Sequence, residues 1–373
     1  MLVLRQIAQN MSKTKKFLKR TDSFRRGLTK RIVRALEPAK SDSCENLNAD
    51  NVRNVLVCRP NHRLGNQLLI TPLVREIEQV FPNAKIDLFL KGNLGLELFK
   101  EYSVVDKMIL LPKKHFKQLG QYLYTWIKIR SGKKYDLVVN VDEGSSSGRL
   151  ATLVARGKNS CSGDLDFVES GNDKFDKFHF AKKPVYTFRE FLVENGIDRS
   201  DESVPKMDLK LSEKEIEIGK AKLRELNGND KPTIGIYTFA TSNKCYSPEA
   251  WTAFYNQLVD QYGTSFNIVE ILPIENVSQI NFKATSFYGK DLRELAAIMN
   301  AMQVYISGDC GMMHLASATD VPVIGLFKFL NIDKYKPYGN GSVGIFTPEF
   351  DSDKILQSLD VILGNSWIGS RSV

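Results

Sequence analysis

Short runs of consecutive apolar residues alternate along this chain with longer stretches in which apolar residues recur every third or fourth position. The runs NVLVC (54–58), AKIDLFL (84–90), VDKMILL (105–111) and KYDLVVNV (134–141) have the length and continuity of strands buried on both faces. Between the first two, NQLLITPLVREIEQVF (66–81) carries a helical period and predicts one helix that stops at Pro82. The same grammar restarts after Pro232. Strands are expected at TIGIYTF (233–239), FNIVEIL (266–272), VYIS (304–307) and VPVIGLF (321–327), separated by helices at 247–262, 291–302 and 311–320. Strand and helix alternating in this way predict an α/β fold with parallel, doubly wound sheets. A charged helix, SEKEIEIGKAKLREL (212–226), lies between the two series and would bridge them. With 373 residues the chain is too long for one core and suits two Rossmann-like domains facing a cleft. The expected divisions are an arm and linker over 1–52, an N-terminal domain over 53–205 and a C-terminal domain over 206–373.

Charge changes this picture at one end only. Residues 1–40 hold twelve Lys or Arg against Asp22 and Glu37, so the arm carries +10 of a formal +9 and the remainder sums to about −1. A basic arm with interspersed apolar residues such as Phe17, Phe24, Leu28 and Ile32 is the pattern of amphipathic helices lying on an anionic membrane surface. A solvated tail is the plainer reading of the same run. Nucleic-acid binding would need a recognition motif, and the arm is accompanied by none. No stretch is apolar for long enough to span a bilayer, and the first residues lack the continuous apolar core of a secretion signal. Five cysteines, Cys44, Cys58, Cys161, Cys245 and Cys310, are odd in number and without metal or redox spacing, which suits a reducing cytoplasm.

The segment SGDCGMMHLASATDVPVIGLF (307–327) is the richest in chemistry. A strand runs into Gly308-Asp309-Cys310-Gly311 and a helix starts at once, so the backbone N–H groups of Gly311 and Met312 would face a phosphate. His314, one turn in, could donate to a diphosphate, and Asp309 could either cap the helix or hold ribose hydroxyls. Taken alone, the turn reads more readily as a capped helix with a satisfied, partly buried histidine.

The motif resembles the C-terminal signature of glycosyltransferase family 9, the ADP-heptose:lipopolysaccharide heptosyltransferases. YGKDLRELAAIMNAM before it is similar to the same family, and the resemblance runs from about Arg53 to about Leu363. It implies the two-domain GT-B architecture and sugar transfer with inversion from an ADP-heptose-like nucleotide sugar to a glycolipid or oligosaccharide acceptor. It implies no cofactor, and no Asp-x-Asp metal motif occurs. The expected setting is the cytoplasmic face of a membrane. In TFATSNKCYSPEAW (238–251), which resembles the family's donor-side loop, Thr241, Ser242 and Lys244 would contact the diphosphate. Lys244, with His314, would supply positive charge to the departing nucleotide. Glu275 would correspond to the acid that binds the ribose. In RPNHRLGNQLLITPLVREI (59–77), Arg63, Gly65, Thr71 and Pro72 match the acceptor-side loop.

Asn66 departs from the family, which has at that position an Asp implied to be the general base. An amide can orient a hydroxyl but cannot take its proton. Asp142 and Glu143, after the strand 134–141, are the candidate replacements, though a solvated loop pair is their plainer reading. One rival reading is therefore a relative that binds nucleotide sugar with impaired catalysis. A dinucleotide oxidoreductase is disfavoured because no Gly-x-Gly-x-x-Gly follows the first strand.

Overall fold

The apolar runs of the first half lie side by side as a five-stranded parallel sheet. In chain order its strands are β1 (Asn54–Arg59), β2 (Lys85–Lys91), β3 (Val105–Leu111), β4 (Leu137–Asn140) and β5 (Asn159–Ser162), in the spatial order β3-β2-β1-β4-β5. The second half forms a six-stranded parallel sheet from β6 (Thr233–Tyr237), β7 (Asn267–Ile271), β8 (Thr285–Phe287), β9 (Val304–Gly308), β10 (Val323–Phe327) and β11 (Val343–Phe346), ordered β11-β10-β9-β6-β7-β8. The computed structural model describes residues 47, 49–113, 118–142, 144–162, 179–199 and 201–369. The basic arm over 1–40 lies outside the described residues.

In both sheets the chain starts in the middle, runs to one edge, then returns to build the other. The order therefore reverses between β1 and β4 in the first sheet and between β6 and β9 in the second. Neighbouring crossovers leave these points on opposite faces, so a crevice opens at the carboxyl ends of the strands there. Residues that leave the carboxyl ends of β1, β4, β6 and β9 are placed to line it.

The expected single helix over 66–81 is two helices, Leu64–Leu68 and Thr71–Val80. Pro72 has no N–H to continue an i→i−4 ladder and sits in the first turn of the second helix, where that loss is harmless. The Thr71 hydroxyl donates to the Leu68 carbonyl at 2.8 Å and closes the break. Two strands, β5 and β8, carry no continuous apolar run, and a third, β11, is only the four residues VGIF. Each is an edge strand with one neighbour, and β5 alternates buried and exposed residues accordingly.

The two halves share packing. One apolar cluster extends from Val55, Leu73 and Leu88 through Met207 and Leu209 to Leu295 and Met313. Arg293 ties the halves with a carboxylate pair and three carbonyls: its guanidinium bonds both Glu215 oxygens at 2.5 and 2.8 Å and donates to the carbonyls of Glu97, Leu209 and Lys210. Glu215 is held well below the usual carboxylate range, at about 2, chiefly by this arginine.

Candidate active site

On the C-terminal side the site is built from the ends of β6 and β9. Asp309, the first residue after β9, is buried, and its Oδ2 accepts from Lys244 Nζ at 2.6 Å and from Asn331 Nδ2 at 2.8 Å. Lys244 closes the turn Ser242–Lys244 that follows β6, so the ion pair bridges the point where the strand order reverses. Its ammonium also lies 5.8 Å from the Tyr335 ring centroid. Thr241 and Ser242 are exposed on the same turn, where Ser242 adopts a left-handed φ of 61°.

His314 sits one turn into the helix Gly311–Ser317 and is 4% exposed. Its Nδ1 has no partner within the protein, and its ring lies 6.0 Å from that of Tyr335. Burial pushes its pKa down to about 4, with Asp309 opposing and His179 and Lys244 assisting. The ring is neutral near pH 7, so it does not carry the positive charge expected from sequence. The first-turn amides of Met312 and Met313 act on the Cys310 thiol, whose pKa is nonetheless raised because burial outweighs them.

On the N-terminal side Arg59, the last residue of β1, joins two of the candidate residues. Its Nη1 lies 2.5 Å from Asp142 Oδ2 and its Nη2 lies 3.3 Å from Asn66 Oδ1. Asn66 is held in place by its neighbour, since the buried Gln67 amide donates to the carbonyls of Asn61 and Lys91 at 2.7 and 3.0 Å. Arg63 and His62 are exposed on the intervening loop. The His62 pKa is lowered, first by burial and then by Lys91, Lys113 and Arg63, which marks this rim as electropositive.

The two sides meet at a pair of glycines. A methyl group on Gly65 would fall 2.6 Å from His314 Cδ2, and one on Gly311 would fall 3.3 Å from Leu64 Cβ. The short helices Leu64–Leu68 and Gly311–Ser317 therefore abut, and the space at Gly311 faces Leu64 of the other half. Across this floor the charges of Arg59 and Arg63 reach Tyr335, where they oppose the upward shift caused by burial and Asp309.

A cleft between two doubly wound sheets is compatible with several enzyme classes, and comparison with known proteins separates them. The model of glycosyltransferase family 9 (heptosyltransferase) matches residues 128–358, more than half of the chain. The chain belongs to this family. It is a glycosyltransferase with the GT-B fold. Among solved structures, a family 9 glycosyltransferase from Veillonella parvula superposes with a TM-score of 0.68 at 16% identity, covering 86% of this chain and 99% of that one. The Escherichia coli ADP-heptose LPS heptosyltransferase II superposes with 0.61 at 16% identity, over 84% and 99%. The Escherichia coli heptosyltransferase WaaC with ADP-2-deoxy-2-fluoro heptose gives 0.56 at 15% identity, over 84% and 99%. No curated protein matches the chain.

In this glycosyltransferase the structure brings together Lys244, Asp309 and His314 on one side and Asn66 and Asp142 on the other. Glu275 is not drawn in: it is an exposed loop residue whose charge is felt at Tyr237. The buried acid nearby is Glu270 on β7, which accepts from Thr238 Oγ1 at 2.5 Å and Ser278 Oγ at 2.6 Å and has a pKa raised by burial. Glu143 lies outside the described residues. Sequence reasoning missed Arg59, Asn331, Tyr335 and Glu270. Arg59 carried a usable signal, a charged residue ending a buried strand at the sheet's midline. Asn331 and Tyr335 stand in FKFLNIDKYKPYG (327–339), which has no motif to single them out. Among the described residues, no group of three or more His, Cys, Asp or Glu could hold a metal ion, and no helix is long and apolar enough to cross a membrane.

Proposed function

We propose that this enzyme transfers a heptose-like sugar from an ADP-heptose-type donor to a glycolipid or oligosaccharide acceptor of the lipopolysaccharide type, with inversion. The observation that carries the reading is the opposition of two polar clusters across one floor. Lys244, Asp309, Asn331, Tyr335 and His314 end one sheet, and Arg59, Asn66 and Asp142 end the other. The first cluster suits the donor. Lys244, whose side chain is 38% exposed, would leave Asp309 for a diphosphate, and neutral His314 has a ring nitrogen to spare. Thr241 and Ser242 are open to the same ligand, as is the first amide of the helix at Gly311, whereas the Met312 amide, expected to share this role, is taken by the Cys310 thiol. Glu275, exposed on the loop after β7, would have to be drawn in by the ligand to bind its ribose.

The second cluster suits the acceptor. Asp142, whose side chain is 37% exposed, shares Arg59 with Asn66, the position where the family has its base. Asp142 takes the proton of the attacking hydroxyl, while Asn66 orients that hydroxyl and Arg59 fixes both. Gly65 and Arg63 shape the entry. The electropositive rim around His62 favours an acceptor that carries negative charge. Residues 1–40 add an anionic-membrane attachment on the cytoplasmic side. Incubation with ADP-heptose and a lipopolysaccharide-type acceptor tests the reading, with ADP release, product mass and anomeric configuration followed together. One inverted heptosyl adduct per ADP is expected. ADP release without an adduct, or an adduct of retained configuration, refutes it.

A further inference from the structure

We propose that the helix Leu119–Ser131 docks this chain on an anionic lipid bilayer through its outward face. The helix follows β3, and one side of it is ordinary core. Thr125 and Ile129 are buried, and Trp126 packs on Phe89 at 5.5 Å and on Tyr122 at 5.8 Å. The other side is apolar as well. Leu119, Leu123 and Ile127 recur every fourth residue, with Tyr124 beside them, and all four are more than half exposed. At 3.6 residues per turn they form one strip along a helix about 20 Å long. Four large exposed apolar side chains on a single short helix are a patch rather than scattered surface residues.

Charge selects the occupant. The helix contains no acidic residue, and its last turn carries Lys128 and Arg130, both exposed. On the helical wheel Lys128 lies at one margin of the strip, beyond Tyr124, and Arg130 lies toward the other side, between Leu119 and Leu123 but at the far end of the helix. An apolar centre with a cationic margin fits the boundary between acyl chains and anionic headgroups. Protein interfaces are depleted of lysine and pair their charges, whereas this face carries Lys128 and Arg130 with no acidic residue on the helix. Position agrees. The helix begins just after the carboxyl end of β3, so Leu119 lies toward the edge of the sheet from which Arg59, Asn66 and Asp142 project. Exposed Lys113, at the same end, extends the cationic margin toward His62. The acceptor side of the cleft is thereby held against the bilayer. The inference rests on this helix and is independent of the donor assignment.

The test uses the full chain and vesicles of phosphatidylcholine with or without phosphatidylglycerol. In Ile127→Trp the added indole is expected to be quenched by bromine on the acyl chains, a readout that the basic arm cannot produce. Leu123→Glu with Ile127→Glu should lower co-sedimentation roughly tenfold, including at raised salt. Lys128→Glu with Arg130→Glu should lower it only on anionic vesicles. These side chains are exposed, and unchanged ADP binding and circular dichroism verify the fold. An unquenched indole on sedimenting protein overturns the proposal, as does wild-type sedimentation of the double-Glu variant or a wild type that binds no vesicle. A concentration-dependent dimer lost in the double-Glu variant, without vesicle binding, assigns the face to a second copy and equally overturns it.

Discussion

Gly65 is where the two halves come closest, and Gly65→Ala probes that contact with one methyl group. The new Cβ would stand 2.6 Å from His314 Cδ2, well inside van der Waals contact, and the ring cannot swing into solvent because it is 4% exposed beside Tyr335. Overpacking of this kind costs about 1–3 kcal/mol. Alanine in the short helix Leu64–Leu68 returns about 0.5–1 kcal/mol of propensity. The net expectation is a loss of about 1–2 kcal/mol, together with weaker ADP binding, because the displaced ring lines the donor side. Combining Gly65→Ala with His314→Ala removes the clash, so the double variant should be more stable than the sum of the single changes implies, by at least about 1 kcal/mol. Urea denaturation and titration calorimetry with ADP measure both quantities. Additive effects, or a Gly65→Ala protein with wild-type stability and affinity, refute the claim that these two residues hold the cleft floor. Gly311→Ala is the internal control. Its Cβ meets Leu64 at 3.3 Å, a contact that a small shift of an aliphatic side chain relieves, so its cost should be the smaller.

His314 should make stability depend on pH. Its folded pKa near 4 lies below the unfolded value of 6.5, so the unfolded chain binds more protons and stability falls as pH drops from 6.5 to 4, by about 3 kcal/mol at most. Stability-against-pH curves of wild type and His314→Gln should differ in slope within this window and run parallel outside it, and curves parallel throughout exclude the buried neutral ring. Asn66→Asp places a carboxylate beside Arg59 and should keep or raise turnover without unfolding the protein; a folded variant with lower kcat shows that the amide has a role an acid cannot fill. Deleting residues 1–40 should weaken binding to anionic vesicles while leaving ADP affinity unchanged, as co-sedimentation and calorimetry report. Equal sedimentation with and without the arm removes it from the membrane account.

Strands buried on both faces were legible in the sequence because each is a continuous apolar run, as NVLVC and TIGIY show, and the alternation with helices carried the doubly wound topology. The edge strands β5 and β8 were not, because NSCS and TSF have one neighbour and no need of an apolar run, while the edge strand β3 was legible from VDKMILL although only its second half is buried, not both faces throughout as expected. The break at Leu69–Ile70 was hidden because both helices keep their apolar faces in phase, and Pro72 at a first turn looks the same in sequence as Pro72 in a kink. Within the site, residues adjacent to a strand's carboxyl end were readable: Asp309, Lys244 and Asp142 follow β9, β6 and β4. Their partners were not, because Arg59 to Asp142 and Asp309 to Asn331 are contacts across 83 and 22 residues that local spacing does not encode. Gly65 and Gly311 were expected to serve ligands, but the atoms nearest their missing side chains belong to the opposite half of the protein.

If labour is divided across one cleft, with donor binding on the side of Lys244 and proton removal on the side of Asp142, then Lys244→Met and Asp142→Asn should fail in different steps. Titration calorimetry gives the Kd for ADP-heptose, and single-turnover transfer at saturating donor gives the rate. Lys244→Met should bind the donor at least about tenfold more weakly, since a charge-assisted contact to phosphate contributes roughly 1.5–3 kcal/mol. Asp142→Asn should bind it as wild type does and transfer about 10²–10⁴-fold more slowly, the range for a lost general base. Donor affinity lost in Asp142→Asn but kept in Lys244→Met, or transfer by Asp142→Asn at the wild-type rate, would contradict the account.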